Sequence, residues 1–144
     1  MRFFFKRAGE AEQHAAQGGE STTFLTTGDE TDGRVSVYDS VLPAGNGAPM
    51  HFHETDDEIF YVITGLVEFE VSGQIMVARP GDLALAGPGV PRRFRALEDS
   101  RLLVINVPGG PSEGFLRDVT SLDGPPTEAD KERFVSKYGI HVVE

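Results

Sequence analysis

The chain has 144 residues, 39% of them hydrophobic and 25% charged, a formal net charge of −10 and no cysteine. That length sets one domain around one readily buried core. The acidic balance excludes nucleic acid as a partner, and the missing thiols exclude disulfides and zinc–thiolate sites.

At the start, Phe3, Phe4 and Phe5 follow a basic residue, but the run is too short for a signal-peptide core. It reads as a first strand or a partner-contacting arm. No apolar run approaches membrane-spanning length, so no membrane partner is expected and a cytoplasmic location is the default. Residues 8–16 are compatible with a helical turn or two, 21–27 look extended, and 28–33 form a turn cluster of Gly, Asp and Thr. Residues 34–42 read as a strand rich in Val and Tyr, and 43–49 as a Gly/Pro loop. An extended piece begins at His51. Residues 58–64 are apolar and β-branched on both faces, which predicts a strand covered on both sides or by a second subunit. Phe60 and Tyr61 are both expected in the core.

After Gly65, strands are expected at 66–71 and 74–79, joined by a Ser72-Gly73 hairpin turn. Pro80, Gly81 and Asp82 turn the chain into 83–86, and a Gly/Pro bend leads to strands at 92–97 and 102–107. Thr127 to Asp130 resembles a capping box, Phe134 and Tyr138 are i, i+4 neighbours, and Gly139 is placed to end the segment. This predicts one amphipathic C-terminal helix. Short strands at regular spacing predict an all-β antiparallel sandwich or barrel. The expected layout is a single domain over 1–144, with an N-terminal arm 1–33, a barrel core at about 34–108 and a C-terminal extension with the helix at about 109–144.

Chemistry concentrates between Gly45 and Gly65, where the spacing is G-x5-H-x-H-x4-E-x6-G. Residues i and i+2 of a strand face the same side, so His51 and His53 point together. Glu58 returns beside them after an Asp-rich turn. Two imidazoles and a carboxylate form a first-row metal donor set. The alternative makes both histidines polar rim residues and Glu58 a surface charge, since Glu54, Asp56 and Asp57 make the whole loop acidic. Against it, Glu58 opens a strongly apolar strand, where an unpaired carboxylate is costly. His14 and His141 lie in terminal segments and read as surface residues.

The spacing resembles the first motif of the cupin family at every fixed position. A second cupin motif resembles residues 81–96: Gly81, Asp82, Gly89 and Pro91 fit. Gly87 stands at the usual proline, Ala96 at the asparagine, and Arg92 at the last histidine ligand. The resemblance implies a cupin jelly-roll β-barrel with a short C-terminal α-helix. More widely, the chain is similar to quercetinase-type monocupins and, less closely, to cupin polyketide cyclases. It implies His51, His53 and Glu58 as metal ligands for Fe, Ni, Zn or Mn, and Glu58 and Arg92 as catalytic residues.

Arg92 is the departure from the pattern. Strand parity puts Arg92, Phe94 and Ala96 on one face, the better core face, so Arg92 points inward. A guanidinium has no lone pair for a metal. Three arrangements follow: the triad holds a metal despite Arg92; Arg92 pairs with Glu58 and takes the metal's place, so that no metal binds; or Arg92 binds a substrate carboxylate, phenolate or enolate. A fourth turns Arg92 out to solvent. The implied function is a small-molecule enzyme like the quercetinase-type dioxygenases, on oxygenated aromatic or polyketide-like substrates of secondary metabolism. The alternatives are a metal-independent cyclase or isomerase and a non-catalytic small-molecule-binding protein. The doubly apolar strand and the Phe arm further predict a homodimer.

Overall fold

Alternation of apolar and polar residues along each strand decides which side faces inward, and here it draws two antiparallel sheets together. The structure, a computed structural model, describes residues 2–144. One sheet has the order β1 (Glu12–Ala15), β2 (Ser21–Thr26), β3 (Ser36–Leu42), β10 (Ser100–Val107), β5 (Asp57–Thr64), β8 (Leu83–Ala86). The other has β11 (Ile140–Val142), β4 (Gly47–His53), β9 (Arg92–Ala96), β6 (Val67–Val71), β7 (Gln74–Ala78). Their facing sides share one core. Tyr38, Leu42, Phe60, Val62 and Leu102 come from the first sheet, and Val67, Phe69 and Ala96 from the second. Phe60, Phe69 and Phe94 form an aromatic cluster with centroids 5.2 to 5.8 Å apart. This is the expected jelly roll, in which the strands hydrogen-bond as two sheets.

In β5, Glu58, Phe60 and Val62 are buried, while Ile59, Tyr61 and Ile63 lie on the other side. Tyr61 is therefore exposed, not in the core. Parity overrides the hydrophobicity of the ring. β5 is central, flanked by β10 and β8. Gly65 ends the turn after it at a φ of 92°, and a Cβ there would collide with Ser100 Oγ. Only glycine meets both demands.

Several segments differ from the expectation. Residues 8–16 are not helical beyond a 3-10 turn at Ala8–Glu10, and β1 pairs antiparallel with β2. Local propensity yields there to sheet pairing. Residues 28–33 contain a short helix, α1 (Gly28–Thr31), capped by Thr27 and Glu30. β4 starts at Gly47, inside the expected loop. The C-terminal helix is present as α3 (Glu128–Tyr138), with its Thr127–Asp130 capping box and Gly139 in the left-handed region. It is not the only one: α2 (Pro111–Thr120) precedes it, with Pro111 in its first turn. After Gly139 the chain forms β11, which places His141 against Phe52, rings stacked 4.3 Å apart, and 2.7 Å from Glu54.

α2 covers the first sheet near β1 and β2. Its buried Glu113 accepts hydrogen bonds from the Gly28 amide, the Ser36 hydroxyl and, at 3.2 Å, the Tyr38 hydroxyl. Arg117, one turn on, holds Glu12 of β1 at 2.7 and 3.0 Å. These bonds fix the helix where it roofs the functional cavity.

Candidate metal and acid–base centre

Strand register assembles the centre. β4 pairs with β9 so that His51 lies opposite Arg92, and β10 pairs with β5 so that Asn106 lies opposite Glu58. His51, His53, Glu58 and Arg92 are all buried, Arg92 completely at 0% exposure. All four predicted residues meet at one place, and the outward position for Arg92 is excluded.

The imidazoles are oriented from behind. His51 Nδ1 donates to the Pro49 carbonyl at 2.8 Å, and His53 Nδ1 donates to Asp56 Oδ2 at 2.9 Å. A carbonyl and a carboxylate accept only, so each ring carries its proton on Nδ1 and leaves the Nε2 lone pair free. Both Nε2 atoms stand 3.8 Å from the same atom, Glu58 Oε1. Asn106 Nδ2 donates to Asp56 Oδ2 at 2.7 Å and to Glu58 Oε2 at 3.2 Å, tying the supporting carboxylate to the front one. Such outer partners set ring tautomer and ligand basicity in metal sites.

Two nitrogens and one oxygen lie within 4.8 Å of one another, a donor set that fits a divalent first-row ion. Arg92 complicates it. Its Nε donates to Glu58 Oε1 at 3.1 Å and one Nη donates to the Val90 carbonyl at 2.8 Å. Its buried Nη2 has no protein partner among the described residues. Burial would raise the Glu58 carboxyl, but His53 and His51, in their protonated form, and the Arg92 guanidinium outweigh it and hold Glu58 well below the usual carboxylate range. Glu58 is therefore a fixed anion. With Asp56 it brings negative charge that Arg92 alone does not match, which leaves room for a cation or a protonated imidazole.

A cavity of about 90 Å³ opens beside the centre. Its walls include His51, His53 and Glu58 at one side, the rings of Phe60 and Phe94, and Phe115 and Leu116 of α2. Glu20, just before β2, also lines it, and burial pushes the Glu20 carboxyl up to about 7. Sequence reasoning missed Asp56, Asn106 and Glu20. Asp56 was hidden in an acidic loop. Asn106 left a signal, as the one amide on the inward face that Leu102 and Val104 make apolar in β10. Glu20 left none, because its place at the cavity comes from the fold and not from its sequence neighbours.

No helix among the described residues is long and apolar enough to cross a membrane. The cupin domain model matches residues 38–108. Among curated proteins none matches the chain. Several solved structures are similar. KdgF from Halomonas is 22% identical, covers 77% of this chain and 98% of its own, and has a TM-score of 0.69. A predicted oxalate decarboxylase from Thermotoga maritima is 19% identical, with 72% and 98% covered and a TM-score of 0.64. A variant of Streptomyces Pac13 with uridine is 18% identical, with 75% and 84% covered and a TM-score of 0.62. Both motifs fall within residues 38–108, which match the cupin domain family, and the neighbours share this jelly-roll fold: residues 38–108 are a cupin domain.

Proposed function

We propose that this protein is a small-molecule enzyme in which His51, His53 and Glu58 hold one divalent metal ion, acting on a compact oxygenated aromatic or polyketide-like substrate in the manner of quercetinase-type dioxygenases. The observation that carries the reading is the convergence of both free Nε2 atoms on Glu58 Oε1, each ring held from behind. A bound Fe, Ni, Zn or Mn ion supplies Lewis-acid polarisation of a substrate oxygen. Glu58, kept ionised, serves as ligand. A carboxylate held that low is a weak base at neutral pH. Arg92 directs its unpartnered Nη2 donor to a developing phenolate or enolate, a charge-assisted bond of the strong kind. Phe60, Phe94 and Phe115 keep water from the reacting end. The cavity is far smaller than the roughly 300–1,000 Å³ of drug-sized sites. A single ring fits such a space, and a larger substrate requires α2 to move.

A second reading, a metal-independent cyclase or isomerase, is favoured by the bond from Arg92 Nε to Glu58 Oε1 at 3.1 Å. There the guanidinium takes the metal's electrostatic role and an imidazole moves the proton. Elemental analysis of protein purified without chelator separates the two, followed by oxygen uptake on a panel of phenols. The first reading expects close to one ion per chain, lost on His51→Ala. Metal-free protein that also fails to bind added Ni(II), Co(II) or Zn(II) in calorimetry removes the first reading and leaves the second and the non-catalytic binding protein.

The proposed working form is a homodimer. Besides the Phe3 to Phe5 arm, Ile75, Met76 and Val77 on β7 and Leu83 and Leu85 on β8 are exposed, and both strands are sheet edges. Paired or covered edges are the rule for such sequences. Light scattering should give twice the chain mass, and a clean monomer at micromolar concentration removes the idea.

A further inference from the structure

The cavity has a second carboxyl that the metal reading does not use. Glu20 sits one residue before β2, and Glu58 lies on β5 of the same sheet, three strand positions away. At a strand spacing of about 4.8 Å, β2 and β5 are about 14 Å apart across the sheet, and Glu20 lies by the row of Leu42 and Ser100 while Glu58 pairs with Asn106. Both side chains nevertheless line one cavity. A molecule filling it meets the imidazole centre at one end and Glu20 at the other.

We propose that Glu20 is the acid–base residue of this pocket, passing a proton to or from an oxygen at the end of the bound molecule remote from His51, His53 and Glu58. In the donating direction the Glu20 O–H bond breaks and an O–H bond forms on the ligand oxygen. Glu20 is left as a carboxylate and is reprotonated from solvent, to which it is partly open. The accepting direction is the reverse. The inference rests on the cavity being a small-molecule site, and not on a metal being held there.

The other titratable groups facing the cavity are committed. The Tyr38 hydroxyl is raised well above its ordinary range, chiefly by burial, and bonds Ser112 at 2.6 Å, so it stays protonated. Glu58 stays ionised. Both imidazoles spend Nδ1 on Pro49 and Asp56 and turn Nε2 to Glu58. From α2, Arg117 is turned away to Glu12, and Glu113 is taken by Gly28, Ser36 and Tyr38. Glu20 is the cavity carboxyl whose charge changes near neutral pH, where proton transfer is most effective.

The test needs no known substrate. Carboxyl-carbon NMR of glutamate-labelled protein should show one resonance titrating near pH 7 that is missing from Glu20→Gln. Benzoate, anionic from pH 5 to 9, serves as the probe ligand. Its affinity should fall about tenfold or more as Glu20 ionises, the coupling expected for one pKa unit, and Glu20→Gln should abolish that fall. A Glu20 resonance titrating in the ordinary carboxyl range overturns the proposal. So does a benzoate profile identical in both proteins. Co(II) absorption recorded in parallel should be unchanged by Glu20→Gln. A protein that binds no Co(II) yet shows both Glu20 signatures defeats the metal reading and leaves this one standing.

Discussion

The two ends of the cavity hold the same functional group in opposite states. Glu58 and Glu20 are both carboxyls withdrawn from water, and withdrawal alone raises a carboxyl. At Glu20 nothing opposes it, and the group reaches about 7. At Glu58 the same penalty is overcome by His53, His51 and Arg92, and the group falls below the usual range. Burial sets the size of the stakes and neighbouring charge sets the sign. A pocket with one permanent anion and one exchangeable proton has separate groups for holding charge and for moving it.

Breaking the Glu58 end should have the largest effect. Glu58→Gln leaves the Arg92 guanidinium wholly buried without its anion. We expect a loss of about 3–5 kcal/mol in chemical denaturation at pH 7, as for other broken buried pairs. Stability within 1 kcal/mol of wild type would mean that Arg92 finds another partner. The wild-type contribution of Glu58 is present above its unfolded pKa and is lost as pH falls toward the depressed folded value.

The opposite sign holds at the other end. The folded pKa of Glu20, about 7, lies above the ordinary 4.5, so the native state holds the proton more tightly between those values. Stability from this group is full below 4.5 and drains away as pH rises to 7. Glu20→Gln should therefore gain about 1–3 kcal/mol over wild type at pH 8 and little at pH 4. An equal effect at both pH values would mean that Glu20 does not titrate in this window.

Asn106 sharpens the contrast, because it steadies Glu58 and Asp56 without touching Glu20's end. Asn106→Ala should weaken Co(II) or Ni(II) binding by about 10–100-fold in calorimetry, the usual cost of an outer-shell partner. It should leave the Glu20 titration in place. Unaltered metal affinity would show that register alone positions Glu58.

The smallest change we expect is a gain. Arg92→His replaces a cation with a third imidazole and should tighten Ni(II), Co(II) or Zn(II) binding by about tenfold or more. Titrations of the two proteins that superimpose would remove Arg92 from the electrostatics of the centre.

Most of the barrel and the front of the site could be read from residue order, for a physical reason. Strand parity is local, so His51, His53 and the inward turn of Arg92 follow from counting by two. Phe94 and Ala96 mark the core face beside Arg92, and the exposed Arg93 and Arg95 mark the other. Tyr61 shows the limit, since its hydrophobic ring suggested the core while its position in β5 turned it out. What could not be read is what depends on distant pairing. β1 forms because β2 is beside it, against an alanine-rich local sequence. Asp56 differs from its acidic neighbours only because His53 and Asn106 reach it. Glu20 gains its character from burial beside a cavity whose other walls include Phe115 and Leu116, nearly a hundred positions later in the chain.

The bond between Arg92 and Glu58 joins β9 of one sheet to β5 of the other. In proteins whose folding waits for a metal, ligand charges repel until the ion arrives, and loading and folding are one event. Here the guanidinium supplies counter-charge from within the chain, so closing the sandwich does not require an ion. On the metal reading, acquiring the ion is a later, reversible step governed by access through the narrow cavity, and protein made without metal should be folded.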